Sequence, residues 1–189
     1  MKKFMKALIV AVCAALLVVG SIAGTIAYLT ATDTVTNTFT VGKVAITLDE
    51  AKVTVYGEQD GDTRVDANEY KLVPSRTYMK DPTIHVDAES EECYVFFKLD
   101  NQLGDAVTFN ISSADWTEIG DTDVYYYKEA ATAGGNYTAF TEFTVKNDAN
   151  VSALGEKTVN VTAYAVQTST NFADAEAAWN ATFGATVQP

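Results

Sequence analysis

A two-residue period of hydrophobicity constrains the fold of this chain more than any other feature of its sequence. From Asp33 onward, short runs rich in Thr, Val and Tyr alternate apolar with polar residues, and Gly, Asp or Asn separates the runs. Successive side chains of a β-strand point to opposite faces of the sheet, so each run can bury one face in a core. The pattern predicts an all-β protein, an antiparallel β-sandwich or jelly roll of about eight strands.

The predicted strands differ in how many of their faces are apolar. Val44, Ile46 and Leu48 share one face. Residues 93–99 are apolar on both faces for most of their length, which is typical of a central strand. Further strands are predicted at residues 53–55, 70–73, 83–87, 107–111, 124–127, 143–145 and 159–165. No repeat or low-complexity linker interrupts the pattern, so we expect residues 28–189 to form a single domain.

One short helix is predicted near the carboxyl end. Asn171 can cap it, with Asp174 at the third position. Four apolar residues then fall on one face at helical spacing, namely Phe172, Ala175, Trp179 and Phe183. We expect this helix to close one end of the sandwich, and the alternative is a helix that binds a partner.

The first 27 residues have the layout of a signal peptide. Three lysines lie within the first six residues, and an uncharged run follows from residue 7 to residue 27. Thr25 and Ala27 supply the small residues that a signal peptidase accepts before its cut. We expect cleavage between Ala27 and Tyr28, with a cut after Ala23 as the alternative.

A retained membrane anchor is the rival interpretation of this segment, because the uncharged run is long enough to span a bilayer. No cluster of basic residues follows the run to hold the chain in place. We therefore expect a secreted, extracellular or cell-surface protein that meets the membrane only during export.

The charge and cysteine content narrow the range of partners. The chain carries 13 basic and 25 acidic residues, and cleavage would remove three lysines and no acid, which makes the net charge −15. Such a surface repels nucleic acid but suits divalent cations. Cys93 is the only cysteine of residues 28–189, so no internal disulfide can form. The fold must therefore depend on its core, with help from calcium or neighbouring subunits.

An acidic segment at residues 58–69 is the best candidate for a metal site. Calcium is held by about six to eight oxygen atoms, which alternate acidic side chains can supply. The predicted ligands are Asp60, Asp62, Asp66 and Glu69. Thr63 occupies the position where an EF-hand needs glycine, so the segment is not an EF-hand. The alternative is an acidic hairpin loop in which Asp60-Gly61 makes the turn.

No residue pattern supports catalysis, and we predict no catalytic residue and no organic cofactor. His85 is the only histidine and sits on a predicted strand as an exposed side chain; with Asp87 it supplies two metal ligands at most. Cys93 opens the most apolar strand, which favours a buried, inert thiol. The run Tyr125-Tyr126-Tyr127 fits either a glycan-binding surface or a strand with aromatic residues on both faces.

A recognisable pattern covers residues 24–48, GTIAYLTATDTVTNTFTVGKVAITL. It combines a cleavage region of small residues with a Thr- and Asn-rich stretch that ends in Asn-x-Phe-x-Val-Gly. This pattern resembles the export signal of the TasA and camelysin family, secreted Gram-positive proteins processed by a dedicated SipW-type signal peptidase. Residues 72–99 and 163–167 resemble branches of the same group. The resemblance is specific over about the first 50 residues.

The resemblance implies a jelly-roll protein of the cell surface or biofilm matrix. Proteins similar to TasA polymerise into fibres in which an amino-terminal strand of one subunit completes the sheet of the next. The matching segment here is 28–38, freed by cleavage after Ala27, and an unpaired Thr-rich strand of this kind can add to a sheet edge. Camelysin is described as a metalloprotease, but the residues that would carry that activity are missing here.

We therefore expect a non-enzymatic structural protein that associates with itself and with other matrix or cell-wall components. Two alternatives come from other functional classes. One is a metal-dependent endopeptidase that uses His85, and the other is a calcium- or glycan-binding adhesin that uses Asp60 and Asp62.

Overall fold

β-Strands are the main regular elements of the computed structural model, which describes residues 30–33, 44–168 and 172–184. In chain order the strands are β1 (Thr30–Asp33), β2 (Ile46–Val53), β3 (Gln59–Val65), β4 (Thr77–Met79), β5 (Thr83–Val86), β6 (Cys93–Asn101), β7 (Val107–Phe109), β8 (Trp116–Glu118), β9 (Val124–Tyr127), β10 (Asn136–Thr138), β11 (Glu142–Val145) and β12 (Val159–Gln167). A 3-10 turn (Gly104–Ala106) and two helices, α1 (Val151–Leu154) and α2 (Ala175–Thr182), complete the described elements.

The strands form three sheets, and every pairing is antiparallel. The first sheet has the order β1-β12-β6-β9-β8, the second β10-β5-β2-β3 and the third β4-β11-β7. This arrangement confirms the predicted all-β antiparallel fold and is β-sandwich-like. The strands are more numerous than the eight expected, because several have only three or four residues and carry too little alternation to be recognised in the sequence.

The main apolar cluster lies between the first and second sheets. Strand β6 contributes Val95, Phe97 and Leu99, which pack with the inward residues of β2 and β5. Phe97 is fully buried, and its ring centroid lies 4.8 Å from those of both Trp116 and Tyr125. β6 is flanked by β12 and β9, which confirms the predicted central strand. Aromatic packing of this density supplies much of the burial that holds a sandwich together.

The predicted helix near the carboxyl end is present, but α2 covers the opposite face of the first sheet instead of closing one end of the sandwich. Trp179 is 3% exposed and packs against Phe96 of β6, with Ala175, Ala178 and Phe183 buried beside it. The cap is Asp174, whose side chain accepts a hydrogen bond from the backbone N–H of Ala177 at 2.8 Å. The predicted cap, Asn171, lies outside the described residues.

The prediction of a strand at residues 70–73 is wrong, and the third sheet explains why. Tyr78 of β4 is buried and stacks on Phe143, with the ring centroids 5.1 Å apart. Its hydroxyl accepts a hydrogen bond from the N–H of Val73 and donates one to the carbonyl of Lys71, both at 2.7 Å. Because a side chain satisfies these backbone groups, the segment needs no partner strand.

The predicted strand at residues 53–55, and the alternative hairpin turn at Asp60-Gly61, are also wrong. The chain turns at residues 54–57, and Asp60 and Gly61 lie inside β3. Gly57 has φ +74°, and a Cβ on it would lie 2.7 Å from the Cα of Tyr78. Only glycine tolerates that combination, so the turn occurs there.

Several sequence predictions fall on residues that the structure does not describe. These are the signal peptide at residues 1–27, its cleavage between Ala27 and Tyr28, and all of segment 28–38 except β1. Within the described ranges, no helix has the length and apolarity needed to cross a membrane.

Replacing Trp179 with Ala tests the contribution of α2 to the fold. The change removes ring contacts with Phe96, Tyr164 and Phe183 at centroid distances of 4.9–5.2 Å. We expect the free energy of unfolding to fall by about 3–5 kcal/mol in urea denaturation. Asn180→Ala, on the exposed face of the helix, is the control. Equal stability of the two variants would show that α2 contributes little.

Candidate functional site

The edge of the first sheet at β12 is the feature of this fold most suited to binding another chain. β1 pairs with β12 from Thr30 opposite Val166 to Asp33 opposite Ala163. β6 pairs with all nine residues of β12 on the other side. Among the described residues, no strand covers the β1 side of Val159–Thr162. A strand edge with free N–H and C=O groups accepts a further strand through main-chain hydrogen bonds.

A groove of about 2010 Å³ runs along this uncovered half of β12. Strands β2 and β6 line it together with the loops that follow β3 and α1. Its apolar lining consists of Leu48, Leu72, Leu99, Leu103, Val107, Phe143, Val151, Leu154, Val159 and Val161. A groove with an apolar lining next to an available strand edge has the two properties that extended-peptide binding requires.

The charged lining of the groove selects against anionic ligands. Nine acidic residues line it, against three lysines. The acidic residues are Asp49, Glu50, Asp66, Glu69, Asp100, Asp105, Asp121, Asp123 and Glu156. The field of such a lining favours an uncharged or cationic segment.

A network of polar side chains centred on Asp49 occupies the outer face of the second sheet. The Arg64 guanidinium donates to the Asp49 carboxylate and, at 3.0 Å, to Asp81. His85 of β5 contacts Asp49 through Nε2 at 2.8 Å and Asn136 of β10 through Nδ1 at 2.6 Å. The network therefore joins β2, β3, β5 and β10 across the sheet.

The prediction that His85 is an exposed side chain needs correction. Its side chain is 29% exposed, and both ring nitrogens have hydrogen-bond partners. The cause is tertiary, because β5 lies between β2 and β10 and both neighbours direct polar side chains at the ring. This is the environment of a histidine that holds strands together.

The environment of Asp49 lowers its pKa. Burial alone would raise the pKa of this carboxyl, but hydrogen bonds from Arg64 and His85, together with their charge, outweigh burial and lower it. Burial alone would lower the pKa of Arg64, but its hydrogen bonds to Asp49 and Asp81, together with their charge, raise it. Both ions are therefore favoured in the folded state.

The four predicted calcium ligands do not form one cluster in the structure. Asp60 and Asp62 lie on β3, and Asp60 forms an ion pair with Lys52 at 2.7 Å. Asp66 and Glu69 follow β3 and line the groove. Within the described ranges, no group of three or more His, Cys, Asp or Glu side chains could hold a metal ion. Calcium binding stays a prediction.

Sequence reasoning missed a buried polar group within β2. Glu50 is 4% exposed, and its carboxylate contacts Lys80 through one oxygen and Asn68 through the other. The alternation along β2 could have revealed it, because Glu50 falls on the same inward face as Ile46 and Leu48. A charged residue in a buried phase requires a partner.

The remaining predicted site residues contribute to packing. Tyr125 and Tyr127 pack on the main cluster, and Tyr126 packs on the helix side, so the tyrosine run places aromatic rings on both faces of β9. Cys93 is fully buried. Burial, with a smaller effect of the Glu92 charge, raises the pKa of its thiol to about 12.

Comparison with known proteins adds no relative to this description. No family model matches the chain, and neither the curated proteins nor the solved structures include a match.

Replacing Asp49 with Asn tests the polar network through its pH dependence. The pKa of Asp49 is lower in the folded protein than its ordinary value of 3.8, so the ionised carboxylate stabilises the fold fully at pH values above 3.8. This stabilisation is lost as the pH falls through the pKa that Asp49 has in the folded state. We expect the variant to be about 1 kcal/mol less stable at neutral pH and equal to the wild type in strong acid. Urea unfolding measures both, with Asp148→Asn, at an exposed turn, as the control.

Cys93 should be inert to thiol reagents in the folded protein. It is the only thiol of a chain comprising residues 28–189, and its burial and raised pKa both suppress the reactive thiolate. At pH 8 we expect labelling only after unfolding in urea. Native-state labelling as fast as that of the unfolded chain would contradict the buried position of Cys93.

Proposed function

We propose that this chain is an exported, non-enzymatic structural protein whose subunits join into surface or matrix fibres by strand addition at β12. The observation that carries the proposal is the pairing of β1 with the β12 edge. β1 comes from the amino-terminal segment that the resemblance to TasA-type proteins implies as the donor. The proposed partners are further copies of the chain and other matrix or cell-wall components.

Strand exchange between copies requires no new type of contact. β1 and β12 pair over four residues, and the same register can form when β1 comes from a neighbouring chain. Exchange of an identical element conserves the hydrogen bonds and changes only which subunit supplies them, so it costs little free energy. An exchange that does not close on itself generates an open fibre.

The groove beside β12 supports the same proposal. Residues 34–42, which follow β1, carry no charged side chain and contain the alternating apolar residues Val35, Phe39 and Val41. An uncharged segment suits a groove lined with nine acidic residues. Apolar side chains on alternate positions can fill its lining while the backbone pairs with Val159–Thr162.

We propose that the strands of this β-sandwich-like fold are connected in a jelly-roll topology. β12 pairs with β6 from the middle of the chain and with β1 from its beginning, while β2 pairs with β5 in the other sheet. Long connections that alternate between two facing sheets are typical of jelly rolls. These pairings support the assignment.

A disulfide-trapping experiment tests strand exchange directly. Ala31 and Ala165 are opposite each other in the β1–β12 pairing, where Cβ atoms lie about 5 Å apart. Two chains of residues 28–189, one with Ala31→Cys and one with Ala165→Cys, are mixed, concentrated and oxidised. Because exchange places β1 of one copy on β12 of another, we expect disulfide-linked heterodimers, identified by mass spectrometry.

Two controls make the outcome decisive. Ser113→Cys replaces Ala165→Cys in a matched mixture, because Ser113 is exposed just before β8, at the far edge of the same sheet. The double variant Ala31→Cys with Ala165→Cys reports pairing within one chain. If it links internally while the mixture gives no heterodimer above the Ser113→Cys background, strand exchange is refuted.

Deleting residues 28–38 tests whether the amino-terminal strand drives assembly. Removing β1 removes the donated strand, so we expect the truncated chain to remain monomeric in size-exclusion chromatography where residues 28–189 form filaments. Electron microscopy of both chains over days and over a range of pH completes the measurement. Filaments from the truncated chain would show that assembly uses a different surface.

A further inference from the structure

Glu50, Lys80 and Asn68 form a triad in the lining of the groove, in which Glu50 is buried and the other two residues are half-buried. The side chains of Glu50 and Lys80 are 5% and 11% exposed, and the lysine Nζ contacts Oε2 of the glutamate at 2.5 Å. Asn68 donates from Nδ2 to Oε1 of the same carboxylate at 2.9 Å. An amine and a carboxamide therefore flank one carboxylate, which can move protons between them.

The carboxamide of Asn68 is held in one orientation. Its Nδ2 also donates to the carbonyl of Ala51, and its Oδ1 accepts from the backbone N–H of Val53, each at 2.9 Å. The N–H of Val53 polarises the amide carbonyl and can stabilise negative charge on that oxygen, as an oxyanion-hole donor does. These partners hold the amide in place beside the same carboxylate that Lys80 contacts.

The surroundings of Lys80 also limit its access to water. The ring of Tyr70 lies beside the ammonium, with the centroid 5.9 Å from Nζ, and the Tyr70 hydroxyl donates to the carbonyl of Met79 at 3.1 Å. A buried ion pair has a desolvation cost that its attraction does not always repay. Converting the lysine to an uncharged amide would remove that cost.

We propose that Lys80 and Asn68 react with each other to form an intramolecular amide bond, with Glu50 as the catalytic acid and base. The Lys80 ammonium gives a proton to Glu50, and the neutral amine attacks Cγ of Asn68. Negative charge develops on Oδ1, facing the N–H of Val53. Glu50 then protonates Nδ2 and takes a proton from the attacking nitrogen.

The bond between Cγ and Nδ2 breaks, and ammonia leaves as the carbonyl re-forms. The product is a secondary amide between Nζ and Cγ, and Glu50 retains one proton. No oxidant, metal or cofactor enters the balance. The cross-link would close a loop between residues 68 and 80. It would give the fold a covalent link that a disulfide cannot provide, because residues 28–189 contain a single cysteine.

Mass spectrometry of the full chain tests this proposal independently of fibre formation. The protein is allowed to fold and is then denatured. We expect its measured mass to be lower than the mass calculated from its sequence by one ammonia. Trypsin should release residues 65–71 joined to residues 77–98, because a modified Lys80 is not cleaved. A mass equal to that calculated from the sequence, with the peptides that contain Lys80 and Asn68 released separately, would overturn the proposal.

Variants separate this reaction from other losses of ammonia. Lys80→Arg keeps the positive charge but removes the amine, and Glu50→Gln removes the acid and base while keeping the shape; each should restore the sequence-true mass. Lys52→Arg alters the exposed pair with Asp60 and should leave the cross-link intact. A succinimide at Asn68 would also lose ammonia, so persistence of the loss in Lys80→Arg, without joined peptides, would overturn the proposal.

Discussion

The antiparallel ladder between β6 and β12 is the constraint on which the rest of the fold depends. The two strands pair over nine residues without a register break, from Cys93 opposite Gln167 to Asn101 opposite Val159. Because side chains alternate along β6, Phe97 faces the second sheet and Phe96 faces α2. A slip of one residue would exchange these two faces, so burial on both sides specifies the register strongly.

The same ladder positions the surface that we assign to assembly. β12 uses one edge to bind β6, which leaves its other edge for β1 and for the groove. The proposed acceptor site is therefore the outer edge of the most extensively paired strand. Such an edge keeps its shape whether the added strand comes from the same chain or from a neighbour, because the core behind it does not change.

An acid-rich chain of this kind must pair the few carboxylates that the fold shields from water. Arg64 binds both Asp49 and Asp81, and Lys80 binds Glu50. The other acidic side chains mostly remain on the surface, where water solvates them. The basic residues near the second sheet thus compensate specific carboxylates that are shielded from water, and the excess negative charge lies on the exposed surface.

The alternation of apolar and polar residues and the length of each run are local properties of the chain. The sequence by itself therefore determined the all-β class, the central strand at 93–99 and the helix near the carboxyl end. It could not show that residues 70–73 remain irregular, because their backbone partner is the hydroxyl of Tyr78. It also could not show that Glu50 meets residues 18 and 30 positions away. Those contacts form only when elements of the second and third sheets pack together, since the distance between side chains from separate strands depends on the whole arrangement and on no single segment.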